Sequence, residues 1–141
     1  MSARDPADAE AEAEVTILAD GDIVMARRKG RMLAEQLKFS STDQVLITTA
    51  ISELARNILL YARGGRILLA RLNNSERQGI LVIASDQGPG IPDIERAMQP
   101  GFSTSSSLGL GLPGVKRLMD EMTVDSSAGT GTTVTAKKWK V

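Results

Sequence analysis

Apolar residues recur along this chain with two periods, and the changes from one period to the other mark out its elements. Residues 15–19 form a short β-type run that Asp20-Gly21-Asp22 breaks. Asp22 can cap a helix running to about Leu37, because a short oxygen-bearing side chain satisfies the free amides of a first turn. Ile23, Met25, Ala26, Met32, Leu33 and Leu37 roughly define one stripe of that helix, where core packing is the expectation for methionine. Met119 and Met122 carry the same expectation further along the chain. Ser41-Thr42-Asp43-Gln44 matches a capping box and predicts a second helix to about Ala62. Within it Ile47, Ala50, Ile51, Leu54, Ile58 and Leu59 follow the helical period closely, and Arg63-Gly64-Gly65 ends it.

The period then shortens. Residues 66–73 and 79–85 read as two strands joined by the polar turn Asn74-Ser75-Glu76-Arg77. The second is apolar throughout, Ile80-Leu81-Val82-Ile83-Ala84, which predicts a central strand. A short helix is expected around residues 94–98, followed by a Pro/Gly/Ser/Thr-rich segment over 99–108 that should be mobile without ligand. Pro113 suits the first turn of a helix running to about Met122. Two last strands, about 123–127 and 132–139, flank Gly129-Thr130-Gly131-Thr132. The order β-α-α-β-β-α-β-β predicts an α+β fold, a two-layer sandwich of helices on one face of a mixed β-sheet. Residues 1–14 are rich in Ala, Asp and Glu with no apolar face. They predict a mobile tail ahead of one domain over 15–141.

Composition removes several chemistries. The 141 residues include no cysteine, which excludes disulfides, thiolate catalysis and Cys-rich metal sites. They include no histidine either, so no Ser-His-Asp triad, His-bound metal or phosphohistidine can form within the chain. Proton transfer falls to a carboxylate, lysine, tyrosine or water. Lys plus Arg and Asp plus Glu are 17 each, so no net charge points to nucleic acid or membrane. No apolar run approaches the ~20 residues that cross a bilayer, and no signal-peptide pattern opens the chain. A cytoplasmic protein is expected.

Three segments carry candidate chemistry. Glu53 and Asn57 lie four apart on the second helix, hence on one face and about 6 Å apart along its axis. An acid and an amide so spaced suit a metal and a nucleophile, although a solvated polar face would give the same pattern. Asp86 ends an apolar strand and opens Asp86-Gln87-Gly88-Pro89-Gly90-Ile91. Its carboxylate can accept adenine's exocyclic amine, and the glycines allow close backbone approach. A plain turn aspartate fits the same residues. Gly109-Leu110-Gly111-Leu112-Pro113-Gly114 matches G-x-G-x-x-G, but no strand precedes it, against a dinucleotide fold. The eukaryotic protein-kinase signatures and the P-loop are both missing. What remains is a glycine-opened helix whose amides and dipole suit an anion.

In this order, with the closing Gly-Thr-Gly-Thr, these segments resemble the N box, the two glycine boxes and the final Gly-x-Gly-Thr of the GHKL (Bergerat) ATPase/kinase fold. The resemblance covers residues 15–141. Residues 47–57 and 101–120 are similar to RsbT-type serine/threonine switch kinases of the bacterial stressosome. The resemblance implies ATP and Mg²⁺ as cofactors and assigns roles. Glu53 would be the general base. Asn57 would bind magnesium. Asp86 would read adenine with help from Thr132, and Gly88 and Gly90 would shape the pocket wall. Residues 99–108, with Ser103 and Thr104, would cover the triphosphate, and Gly109, Leu110, Gly111 and Leu112 would offer it backbone amides. The covering segment holds no lysine or arginine. Cationic help for the γ-phosphate is left to magnesium, Arg56, Lys116 or Arg117. Lys116, Arg117 and Asp120 otherwise read as a solvated face or a partner surface.

The activity implied is serine/threonine phosphorylation of STAS-domain antagonist and co-antagonist proteins (RsbS and RsbR types). Activation of a PP2C-type phosphatase (RsbU type) would follow. The alternatives are an anti-sigma-factor kinase that sequesters a sigma factor, a nucleotide-gated binding module without catalysis, and a detached sensor-kinase catalytic domain.

Overall fold

A computed structural model describes residues 11–88, 111–127 and 129–140. Along these residues the elements are β1 (Ala13–Ile17), α1 (Asp20–Gln36), α2 (Ser41–Tyr61), β2 (Gly65–Asn73), β3 (Gln78–Asp86), α3 (Gly111–Leu118), β4 (Glu121–Ser127) and β5 (Gly131–Trp139). The helix expected at 94–98 and the segment 99–108 lie outside the described residues. Order and type of the eight described elements follow the sequence pattern.

The strands form one sheet in the order β1-β2-β3-β5-β4. β3 lies in its middle, as its unbroken apolar run requires, between β2 and β5. The sheet is not mixed, which corrects the expectation: all four pairings among the described strands are antiparallel. For β2 and β3 a tight turn sets the direction. The Asn74 side chain accepts hydrogen bonds from the amides of Glu76 and Arg77 at 2.9 and 2.8 Å, closing the β2–β3 hairpin. β3 and β4 do run the same way, but β5 inserts between them.

Both helix starts differ from the expected caps. The α1 boundary is Ala19, and Asp22 sits inside the first turn with Oδ2 accepting from the amides of Leu18 and Ala19. The α2 cap is Ser40 rather than Ser41, its hydroxyl accepting from the Asp43 amide at 3.1 Å. Gln44 does not close a capping box; its side-chain Nε2 donates to the Phe39 carbonyl instead. Helix α3 ends at Leu118, short of Met122, because the Asp120 amide turns to the Lys137 carbonyl and starts the approach to β4. β1 begins at Ala13, and the Glu12 amide already donates to the Leu69 carbonyl.

The core lies between the helices and one sheet face. Ile47, Ala50, Ile51, Leu54 and Ile58 of α2 are buried against Ile67, Leu69, Ile80 and Val82 of the sheet. On α1 the buried set is Ala26, Gly30, Leu33 and Ala34, while Met25 and Met32 are 43% and 54% exposed. Those two methionines therefore depart from the expected stripe. Gly30 lies against Ile51, so small residues let the two helices approach where methionine could not fit. Met119 is buried and Met122 partly so.

The opposite sheet face carries a smaller cluster of Ala70, Leu72, Leu81 and Trp139. Trp139 is held at the end of β5 by several contacts. Its Nε1 donates to Glu121 at 2.6 Å, its amide donates to Asp120 at 2.7 Å, and the Arg77 guanidinium lies 4.5 Å from its ring centroid. Asp120 is thus a structural acceptor, whereas Lys116 and Arg117 are exposed.

Candidate nucleotide site

The sheet delivers Asp86 to the last position of β3, where it pairs in register with Gly65 on one side and Thr132 on the other. Its Oδ1 accepts from the Gly88 amide at 2.8 Å and from the Thr132 amide at 3.3 Å. One oxygen therefore fixes both the turn after β3 and the start of β5. Among the described residues Oδ2 accepts no hydrogen bond, which leaves an acceptor at a half-buried strand end.

Two glycines make this geometry possible. Gly131 has φ +102°, and a side chain there would run into the Asp86 carbonyl. Gly88 fits so closely under the end of α2 that an added Cβ would lie 2.8 Å from that of Ala62 and 3.1 Å from the Tyr61 carbonyl. The Thr132 hydroxyl pairs with that of Ser126 at 2.9 Å, so it is oriented by its neighbour strand.

Helix α2 presents the other half. Glu53 is only 8% exposed, although it carries a formal charge. The Arg56 Nη1 lies 4.0 Å from its Oε1. Asn57 is half-buried, one turn beyond Glu53 and one turn before Tyr61, whose carbonyl borders Gly88. The face bearing the acid and the amide therefore leads directly to the Asp86 turn. Beside that turn lies an open cavity of about 800 Å³, bordered by Leu18, Leu60, Tyr61, Arg63, Gln87 and Gly88; Glu53, Asn57, Asp86 and Thr132 are not among its lining residues.

Helix α3 packs on α2. Gly111 opens it with φ +66°, and Leu112 is buried in the main core. A phosphate contact at Leu112 would thus fall to its backbone. Gly90, Ser103, Thr104, Gly109 and Leu110 lie outside the described residues.

Sequence reasoning overlooked Tyr61, Ala62 and Gly65. Tyr61 had a usable signal, since it follows Asn57 by four on the same helical face. The contact of Gly65 with Ile58 and Asp86 depends on strand register, and local pattern holds no trace of it.

Comparison with known proteins identifies the family and the fold. Residues 42–140 match the family described as histidine kinase-, DNA gyrase B-, and HSP90-like ATPase. The serine/threonine-protein kinase RsbT of Bacillus subtilis (strain 168) is 56% identical over 125 residues, spanning 89% of this chain and 94% of that relative. An anti-sigma F factor of Caldanaerobacter subterraneus subsp. tengcongensis is 32% identical over 118 residues, 81% of this chain and 82% of that protein. Among solved structures, the RsbU and RsbW domains of Rv1364c from Mycobacterium tuberculosis superpose with a TM-score of 0.61 at 18% identity, over 89% of this chain and 32% of that one. The mycobacterial sensor histidine kinase MprB gives 0.53 at 17% identity, over 90% of this chain and 96% of that one. The structural likenesses bear on the fold alone. With helices on one face of a five-stranded sheet and an acidic strand end beside a glycine turn, this chain belongs to the histidine kinase-, DNA gyrase B- and HSP90-like (GHKL) family of ATP-binding domains.

Proposed function

We propose that this protein is an ATP- and magnesium-dependent serine/threonine protein kinase acting as a switch in the general stress response. Its substrates are STAS-domain antagonist and co-antagonist proteins of the RsbS and RsbR types. After phosphorylating them it binds and activates a PP2C-type phosphatase of the RsbU type, in the cytoplasm. The observation that carries this reading is the 56% identity to a serine/threonine-protein kinase across 94% of that relative's length. No described helix is long and apolar enough to cross a membrane.

Glu53 serves as the general base. Its carboxylate accepts the proton of the substrate hydroxyl as that oxygen bonds to the γ-phosphorus. The bond from phosphorus to the β–γ bridging oxygen breaks, and ADP leaves with the electron pair. The absence of histidine and cysteine from the chain, with a buried carboxylate on α2, supports this role. Adenine donates its exocyclic amine to Asp86 Oδ2, with Thr132 beside the base and Gly88 and Gly90 forming the wall. Ser103 and Thr104 belong to the cover over the triphosphate. Gly109, Leu110, Gly111 and Leu112 give the phosphates backbone amides at the start of α3.

Magnesium is a hard cation that takes oxygen ligands and keeps most of its partners in nucleotide phosphates and water. The Asn57 side-chain oxygen, one turn from the Glu53 carboxylate, fits that preference. Bound there, the ion would neutralise developing charge on the phosphates.

A second reading is supported by the anti-sigma F factor relatives: a kinase of this fold that sequesters a sigma factor. Incubation with γ-labelled ATP, magnesium and purified STAS proteins separates the two. Label on a STAS serine or threonine is expected. Tight capture of a sigma factor with no label on STAS proteins would favour the second reading.

A further inference from the structure

We infer that Arg56 is a positioning residue for Glu53, acting on phosphoryl transfer through that carboxylate rather than by touching the nucleotide. This rests on Glu53 serving as the base. On α2, Arg56 and Asn57 follow Glu53 by three and four residues and flank it on opposite sides. By helical spacing, Glu53 therefore has a cation to one side of its position and the proposed metal ligand to the other. Glu53 is 8% exposed, and a carboxylate so withdrawn from water needs polar or charged partners to hold it in place. Arg56 is one such partner, 4.0 Å away.

Two features argue against a direct phosphate contact. The guanidinium turns toward the carboxylate rather than lying free along the helix. Its side chain is also 43% exposed, so water already solvates its outer part and no anion is needed to compensate it. At 4.0 Å the pair is not a bidentate clamp; the charge steers the carboxylate electrostatically. Lysine, a cation without the fork, should then replace much of the effect.

The test is a double-mutant cycle: Arg56→Ala and Arg56→Lys, each alone and combined with Glu53→Gln, assayed by transfer to a STAS-domain substrate. Arg56→Ala should lower kcat about 10-fold through misplacement of the base, with KM for ATP within about twofold and a cooperative urea transition retained. Arg56→Lys should recover most of that loss. On the Glu53→Gln background, Arg56→Ala should cost nothing further, because its effect passes through the missing carboxylate. Losses that multiply in the double variant, or a raised KM for ATP, would put Arg56 on the phosphate and overturn the inference. Full kcat in Arg56→Ala would overturn it as well. A wild-type protein that binds ATP yet transfers nothing fails in a different way, removing the kinase reading and this inference with it.

Discussion

The two carboxylate oxygens of Asp86 stand in different situations, since Oδ2 accepts no hydrogen bond among the described residues. Oδ1 is occupied by the amides of Gly88 and Thr132, so the turn depends on it even without nucleotide. Asp86→Asn can keep that acceptor while replacing the second oxygen with a donor that faces adenine's amine wrongly. ATP affinity should fall about 10- to 150-fold, the worth of one hydrogen bond to a charged group, with the fold intact. Asp86→Ala should add about 1–3 kcal/mol of destabilisation, since two amides lose their acceptor. Calorimetry with the Asn variant decides the matter: wild-type affinity would remove Asp86 from the adenine site. Glu53→Ala belongs to the same scale but affects rate. It should bind magnesium-ATP nearly normally and slow single-turnover transfer about 10²–10⁴-fold, toward the lower end because alignment and metal electrostatics carry much of phosphoryl transfer. A wild-type rate would make Glu53 a structural residue.

Among the elements, the β4–β5 hairpin is the one whose exact shape the site depends on. Gly131 holds a backbone conformation that L-residues rarely adopt, pressed against the Asp86 carbonyl. Gly131→Ala should cost about 1–3 kcal/mol in a urea titration and weaken ATP binding too, because the Thr132 amide moves with it. A variant equally stable and equally tight would show that this contact yields freely. Such dependence on register is what local pattern cannot convey. The order of elements was legible because α2 keeps a strict apolar period and β3 is apolar without a break. Glu53, Asn57 and Asp86 are legible as candidates from helical spacing and a glycine turn, whereas Thr132 enters only through the family resemblance. Strand direction was misjudged, since β3 and β4 are parallel and only the insertion of β5 makes every pairing antiparallel. The stripe on α1 was misjudged because Gly30 and Ala34, rather than Met25 and Met32, allow the close contact.

Across the whole molecule, the proposed nucleotide site draws on α2, the end of β3 and the start of α3, which are far apart in sequence. A ligand that bridges them binds only the folded chain. ATP with magnesium at 100 times its Kd should therefore raise unfolding stability by about 2.7 kcal/mol. In Asn57→Ala the magnesium-dependent part of that gain should vanish while the metal-free part remains. An unchanged magnesium titration would reassign the metal.

Trp139 and Tyr61 are the only tryptophan and tyrosine of the chain. β5 carries the backbone from Thr132, beside Asp86, to Trp139, seven residues and about 23 Å away. Tyr61 instead borders the cavity next to Gly88. One optical probe thus lies at the far end of β5 and the other at the end of α2, beside the Asp86 turn. Tryptophan emission should follow unfolding and ignore nucleotide, while tyrosine absorbance should respond to nucleotide before any unfolding begins. The unlabelled protein can report its own stability and its own occupancy as two separate signals.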